Sequence, residues 1–350
     1  MPGRVLVTGV SGMIGSHVAL ALLYAGYTVR GSVRDPARAD AVRANLSRAG
    51  ADIRRLEIVE LDLLEDRGWE AAAAGCRYLQ HIASPLSVRP PKDPDILIRP
   101  AVEGTRRAVS AALAAGVERI VVTSSVAAVT AGHQVGRTEP FTGSDWSLPS
   151  GDGVYAYAEA KTRAELEAWS LVEEAGKRDI LATLHPSFVL GPLLGTPAGG
   201  SSLIVSLLLN GTAPLAPKFK LDMVDVRDVA ALHLKAMESP LAGGTRYLVS
   251  AGAIMLPDLV ASLRAAYPEL SGRLPRLPAP DWLFRLYGRF NRDFGANLAG
   301  LDPRWPGYDA APAERLLGQS FISPRLAALA TAQSLLDLGI VRRPKRQKKD

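Results

Sequence analysis

The eight residues Thr8-Gly9-Val10-Ser11-Gly12-Met13-Ile14-Gly15 directly follow the apolar run Val5-Leu6-Val7 and open an apolar stretch of helical periodicity. Strand, glycine-rich turn and helix in that order restrict the fold sharply. Gly9 permits the tight strand-to-helix turn, Gly12 lets the backbone approach a pyrophosphate, and Gly15 lets helix and strand pack closely. Thr8 closes the strand, and Met13 and Ile14 sit where the helix N-terminus offers N–H groups and the positive end of its dipole. A dinucleotide site is therefore expected over residues 8–15.

Strand-like runs then alternate with alanine-rich helical stretches: Val5 to Thr8, Thr28 to Val33, Leu56 to Leu61, Tyr78 to Ile82, Ile120 to Thr123 and Ile180 to Leu184. Alternation of this kind implies a parallel sheet. Ser16 to Ala25, Ala37 to Ala49, Glu103 to Ala115 and Tyr157 to Glu174 have the length and composition of crossover helices on both faces. The predicted class is α/β, a doubly wound Rossmann sheet with a smaller C-terminal substrate-binding lobe. After about residue 186 the pattern loosens into loops such as Gly191-Pro192 and Gly195-Thr196-Pro197-Ala198-Gly199-Gly200, with later helical segments such as Pro257 to Tyr267. The expected division is 1–186 with about 222–250 for the dinucleotide-binding domain, 187–221 and 251–341 for the substrate lobe, and 342–350 for a basic tail.

Composition narrows the class further. With 350 residues and 47% apolar content the chain can bury a large core. Cys76 is the one cysteine, which excludes an intramolecular disulfide and a cysteine-based zinc site. No segment reaches the roughly 18 apolar residues of a membrane span, and the N-terminus does not resemble a signal peptide, so a cytoplasmic location is expected. The formal charge is +6. Most of that excess lies in the tail Arg342-Arg343-Pro344-Lys345-Arg346-Gln347-Lys348-Lys349-Asp350, where no aromatic residue interleaves with the charges. A solvated terminus fits that pattern, and no nucleic-acid partner is expected. His133, His185 and His233 show no ligand spacing, so no metal is expected.

Cofactor choice follows from the end of the second strand. NAD sites place a carboxylate there for the ribose 2′-hydroxyl, at about Val33 in this chain. Arg34 follows immediately, with Arg30 and Arg38 nearby, and offers a cation for a 2′-phosphate. NADP(H) is expected over NAD. Asp35 adjoins Pro36, which suits a turn or helix start. Asp62 and Leu63, closing the third strand, are expected beside the adenine.

In Tyr157-Ala158-Glu159-Ala160-Lys161 the i, i+4 spacing puts a phenol and an ammonium on one helix face. A nearby Lys⁺ can stabilise a phenolate and draw its pKa from about 10 toward the working range. Alone, this spacing also describes a solvated helix face. Here the pair follows the strand Ile120 to Thr123 and its terminal Ser124-Ser125, where a serine hydroxyl would face the cofactor crevice and could donate to a substrate oxygen.

Thr8-Gly9-x-x-Gly12-x-x-Gly15, Ser125 and Tyr157-x-x-x-Lys161, in this order, resemble the extended short-chain dehydrogenase/reductase superfamily. The segments Gly26 to Pro36, His81-Ile82-Ala83-Ser84-Pro85, Glu103-Gly104-Thr105, Thr123-Ser124-Ser125, Lys161 to Glu165, His185 to Pro192 and Val224 to Ala230 are similar to its dihydroflavonol reductase-like branch. That branch includes plant flavonoid and cinnamoyl-CoA reductases and microbial NADPH-dependent aldehyde and ketone reductases. The resemblance covers residues 4 to about 236. It implies that Tyr157 is the proton donor, Lys161 its activator and ribose clamp, and Ser125 the orienting donor, with Ser124 in that role if the register is displaced by one. It places Ala83 and Ser84 near the cofactor ribose, and Pro186, Ser187 and Val189 along the carboxamide through the backbone. Arg34 takes the 2′-phosphate.

The activity so implied is NADPH-dependent reduction of an aldehyde or ketone, a small-molecule carbonyl substrate, to the alcohol by hydride transfer. The Asn-Trp-Tyr-Cys-Tyr pattern of cinnamoyl-CoA reductases is replaced by Gly151-Asp152-Gly153-Val154-Tyr155-Ala156-Tyr157, which disfavours a CoA thioester. Alternatives within the superfamily are a hydroxysteroid-type alcohol dehydrogenase and a nucleotide-sugar epimerase. Epimerases usually retain tightly bound NAD, which Arg34 opposes. A non-catalytic NADP-sensing protein is a third alternative, opposed by the presence together of Ser125, Tyr157 and Lys161.

Overall fold

The computed structural model describes residues 2–85, 91–133, 136–148, 155–195, 200–212, 215–279 and 301–344. Residues 151–154, 196–199 and 345–350, which the sequence singles out, lie outside the described residues. In chain order the elements are β1 (Arg4–Val7), α1 (Met13–Tyr24), β2 (Thr28–Val33), α2 (Ala39–Arg48), β3 (Leu56–Glu60), α3 (Trp69–Ala73), β4 (Tyr78–His81), α4 (Asp95–Ala114), β5 (Arg119–Thr123) and α5 (Ala127–Thr130). There follow α6 (Ala156–Glu174), β6 (Leu181–Pro186), β7 (Phe188–Leu190), α7 (Ser202–Asn210), β8 (Leu215–Pro217), β9 (Lys220–Asp225), α8 (Val226–Glu238) and β10 (Thr245–Val249). The last are β11 (Ala253–Met255), α9 (Leu256–Ala266), β12 (Leu277–Ala279), α10 (Ala311–Leu317) and α11 (Pro324–Asp337).

A seven-stranded sheet in the order β10-β6-β5-β4-β1-β2-β3 forms the centre. Every pairing in it is parallel. Strands buried on both faces must be apolar on both, and residue alternation shows which face each side chain serves. Val5 and Val7 pack with Val18 and Leu22 of α1 and Val229 and Leu232 of α8, whereas Leu6 between them packs with Ala108 and Val109 of α4 and Trp169 of α6. Each such aliphatic side chain, wholly removed from water, contributes about 1.5–3 kcal/mol. The Rossmann sheet expected from the sequence is the observed one. Its order reverses between β1 and β4, which opens a crevice beyond their carboxyl ends.

Two elements differ from expectation. α4 begins at Asp95, not near Glu103, and carries Pro100 inside it. Proline cannot donate to the carbonyl four residues back, that of Ile96, whose residue is 59% exposed, so the bond is lost where water can replace it. β10 adds a strand parallel to β6 that the sequence pattern had not marked as a strand.

Beyond β6 the chain builds a three-stranded sheet β11-β9-β7 and a pair β12-β8. Leu208 and Leu209 of α7, Leu259 and Leu263 of α9 and Ala328 and Leu335 of α11 form a second apolar core with Leu221 and Met223 of β9. No helix among the described residues is long and apolar enough to cross a membrane.

Candidate active site

The glycine turn is built by steric necessity. Gly9 has φ +71°, and a Cβ there would stand 3.0 Å from Ala83 Cα. A Cβ on Gly15 would stand 2.2 Å from the Gly9 carbonyl oxygen, so α1 can approach the turn only with glycine there. Thr8 fixes the other side: its hydroxyl oxygen accepts from the Ile82 and Ala83 N–H groups at 2.9 and 3.0 Å, while Ser32 Oγ accepts from Gly9 N–H at 3.2 Å. Together they close the ends of β1, β2 and β4 around one point.

α1 starts from Gly12 without a side-chain cap and with no acidic residue in its first turn. Its first N–H groups, at Met13 and Ile14, therefore have no side-chain cap and no carboxylate beside them, which suits an anion. A nucleotide pyrophosphate fits this cradle. Arg34, exposed beyond β2, has no side-chain partner among the described residues, and Asp35 instead caps the following turn, accepting from Ala37 N–H at 3.0 Å. Arg30 is not part of this cation set. Its side chain leaves β2 on the sheet's α3 face, where it pairs with Glu57 at 2.9 Å and donates to the Ala71, Ala72 and Ala74 carbonyls that end α3. Asp62 accepts from Leu64 N–H at 2.8 Å, and Leu63 packs against α4, where a Cβ on Gly104 would meet its Cδ2 at 2.5 Å.

The chemical end of the crevice lies where β5 meets α6. Three consecutive residues of β5's end are each tied to one turn of α6. The Ser125 hydroxyl lowers the pKa of the Tyr157 phenol, Lys161 Nζ donates to the Thr123 carbonyl at 3.0 Å, and Ser124 Oγ donates to Glu165 Oε2 at 2.6 Å. Ser125 thus acts on the phenol, whereas the Ser124 hydroxyl is engaged by Glu165. Burial pushes the Tyr157 phenol above its ordinary value, and the Ser125 hydrogen bond opposes this. Burial lowers Lys161 to about 8, with Glu165 pulling the other way. Burial, and not the Lys161 charge, dominates the phenol here.

Pro186, Ser187 and Val189 run past this point, but their backbone groups are largely engaged. The Pro186 carbonyl accepts from Val126 N–H at 3.2 Å, Ser187 N–H donates to the Val249 carbonyl at 3.1 Å, and Val189 pairs with Val224. The Ser187 hydroxyl, buried and without a partner, is the polar atom this segment leaves free. Ala83 and Ser84 are half-buried beyond β4 and, with Lys161 and Glu165, line a small internal cavity.

Glu165 is the site feature that sequence reasoning did not use. Its carboxylate also accepts from Thr183 Oγ1, His185 Nε2 and Arg246 Nε at 3.1, 2.8 and 2.7 Å. His233 bonds Gln80 and Thr123, and His133 bonds the Trp146 carbonyl. A groove of about 1350 Å³ over α4 and α6 includes none of Ser125, Tyr157 and Lys161 in its lining.

A Rossmann crevice ending in a serine, tyrosine and lysine narrows the ancestry to one group. Residues 5–250 match the NAD dependent epimerase/dehydratase family. The chain belongs to that family. It is thereby an oxidoreductase of the extended short-chain dehydrogenase/reductase superfamily, as its relatives also indicate. It is 39% identical over 273 residues to cinnamoyl-CoA reductase 1 of Oryza sativa, 76% of each chain being covered. It is 35% identical over 271 residues to tetraketide alpha-pyrone reductase 2 of Arabidopsis thaliana, covering 75% of this chain and 83% of that protein. Among solved structures, Gre2 of Candida albicans in complex with NADPH superposes with a TM-score of 0.78 at 26% identity, covering 96% of this chain and 99% of that one.

Proposed function

We propose that this member of the family is an NADPH-dependent reductase that converts an aldehyde or ketone to the alcohol, with Tyr157 as the proton donor. The observation that carries the reading is the gathering of Ser125, Tyr157 and Lys161 at the carboxyl end of β5, where Lys161 Nζ donates to the Thr123 carbonyl at 3.0 Å and the Ser125 hydroxyl acts on the buried phenol. The bound nicotinamide supplies a hydride; the rest of the chemistry falls to the chain's own side chains. Ser125 holds the substrate oxygen where Tyr157 can protonate it, which is a task of orientation and hydrogen bonding to developing charge. Tyr157 favours the proton-bearing form because burial disfavours its phenolate, so it enters the reaction as an acid. Lys161, charged below about pH 8, holds the ribose and favours the phenolate that remains once Tyr157 has given up its proton.

The open N-terminus of α1 receives the pyrophosphate and Arg34 the 2′-phosphate, in line with the NADPH named in the Gre2 complex. In the same reading, residues 187–221 and 251–341 form the substrate side and residues 1–186 with about 222–250 the nucleotide side. A second reading, reduction of an acyl-CoA thioester, is favoured by the 39% identity to cinnamoyl-CoA reductase 1.

Loss of NADPH absorbance with aryl aldehydes, α-keto aldehydes, cyclic ketones and cinnamoyl-CoA separates these readings. Tyr157→Phe should lower kcat by roughly 10²–10⁴-fold and leave the NADPH Kd unchanged. A near-normal rate in that variant sinks the proton-donor assignment. Turnover of cinnamoyl-CoA with no simple carbonyl active puts the thioester reading in its place.

A further inference from the structure

Glu165 stands one helical turn beyond Lys161 on the same face of α6 and is 1% exposed. Its partners come from four elements: Ser124 from β5, Thr183 and His185 from β6, Arg246 from β10 and, at 3.3 Å, Trp169 of α6 itself. Taking a carboxylate fully out of water is costly, and apolar packing could hold α6 to the sheet without that cost. The position of the charge is therefore the informative feature. Spaced along one helix face, Lys161 and Glu165 bind the carbonyl of Thr123 and the side chain of Ser124, and the phenol of Tyr157 is under the influence of the next residue, Ser125.

Lys161 and Glu165 do not touch. Both line a cavity of about 10 Å³ together with His81, Thr105 and Ser124, a space of roughly one water molecule. His81 is neutral there, pushed down to about 3 by burial and by the charge of Lys161. Arg246, from β10, and His185, from β6, also meet the Glu165 carboxylate, and Arg246 offsets part of its charge.

We propose that Glu165 is a positioning residue for the reductase chemistry: it fixes Ser125 against Tyr157 through Ser124 and supplies the buried countercharge of Lys161. The proposal rests on the reading that Ser125, Tyr157 and Lys161 act on the substrate. Removing the negative charge lowers the pH at which Lys161 gives up its proton. Removing Arg246, which leaves Glu165 less compensated, raises it. A merely structural role predicts loss of stability in both variants and no such opposition.

The test follows the ¹³Cε resonance of Lys161 in the ligand-free protein, assigned with Lys161→Met, across a pH titration of wild type, Glu165→Gln and Arg246→Gln. The titration should move down by about one unit in Glu165→Gln and move up in Arg246→Gln, and the alkaline limb of kcat should follow in each. Ser124→Ala should leave the titration in place and lower kcat roughly tenfold or more with KM unchanged. Equal or absent shifts in the two charge variants overturn the proposal. Should Glu165→Gln not fold, the absence of an upward shift in Arg246→Gln overturns it alone. Should the wild type reduce no carbonyl, the functional reading fails while the Lys161 titration still decides the role of Glu165.

Discussion

Arg34 follows the second strand and is exposed, whereas Arg30 within that strand is buried against the end of α3. The two look equivalent in a sequence, because spacing gives a residue's place along the chain but not the groups its side chain will meet. Where local geometry is enough, the sequence is informative: Gly9 and Gly15 are demanded by one turn, and Tyr157 and Lys161 share a face by helical period alone. The free guanidinium leads to a direct expectation. A charge-assisted contact to a phosphate contributes about 1.5–3 kcal/mol, so Arg34→Ala should weaken NADPH binding by roughly ten- to a hundredfold and NADH binding little. Fluorescence titration with each nucleotide measures this, and equal small changes for both would show that the 2′-phosphate is held elsewhere. Arg30→Ala should instead lower thermal stability and leave the ratio of the two affinities unchanged.

At the scale of elements, the crevice depends on strand ends being held together. Thr8 does this by accepting from two backbone N–H groups beyond β4, while its own N–H donates to the Gln80 carbonyl at 2.9 Å. Thr8→Val keeps the shape of the side chain and removes the acceptor. Each N–H left unpaired costs about 1–3 kcal/mol, so the variant should lose roughly 2–6 kcal/mol of unfolding free energy. Its NADPH affinity should fall with it, because Ala83 packs directly against Gly9. Chemical denaturation and nucleotide titration of the same preparation check both, and a stable variant with weakened binding would confine Thr8 to ligand contact. Elements whose partners are near in sequence were legible: β1 to β6 and their crossover helices follow from alternating apolar runs. β10 was not, since its strand character comes from pairing with β6. The Glu165 cluster was also hidden, because its carboxylate gathers donors from β5, β6 and β10, which only the sheet order brings side by side.

For the whole molecule, the buried histidines tie stability to pH. His81 and His233 are held neutral by burial, each pushed down to about 3. His233 lies between Gln80 Oε1 at 2.7 Å and Thr123 Oγ1 at 2.9 Å, so a second proton would require the Thr123 hydroxyl to turn from donor to acceptor. The folded pKa of each is below the unfolded value of about 6.5. The unfolded chain therefore binds protons that the folded chain refuses, and stability, full above pH 6.5, falls as pH drops from there toward 3. The expected loss at pH 5 is about 2 kcal/mol for each histidine. Glu165 acts in a different window, since its carboxyl is held below the usual range by His185 and Arg246, and its contribution is lost only below about pH 4.5. Guanidinium denaturation at pH 7.5, 6 and 5 should show a midpoint that moves steadily to lower denaturant. His233→Gln, which removes one titrating group while keeping a polar side chain, should be less stable at pH 7.5 but lose less on acidification. A midpoint that stays level from pH 7.5 to 5 would mean that these rings take up protons in the folded protein, and the neutral core built around Gln80, Thr123 and Thr105 would have to be redrawn.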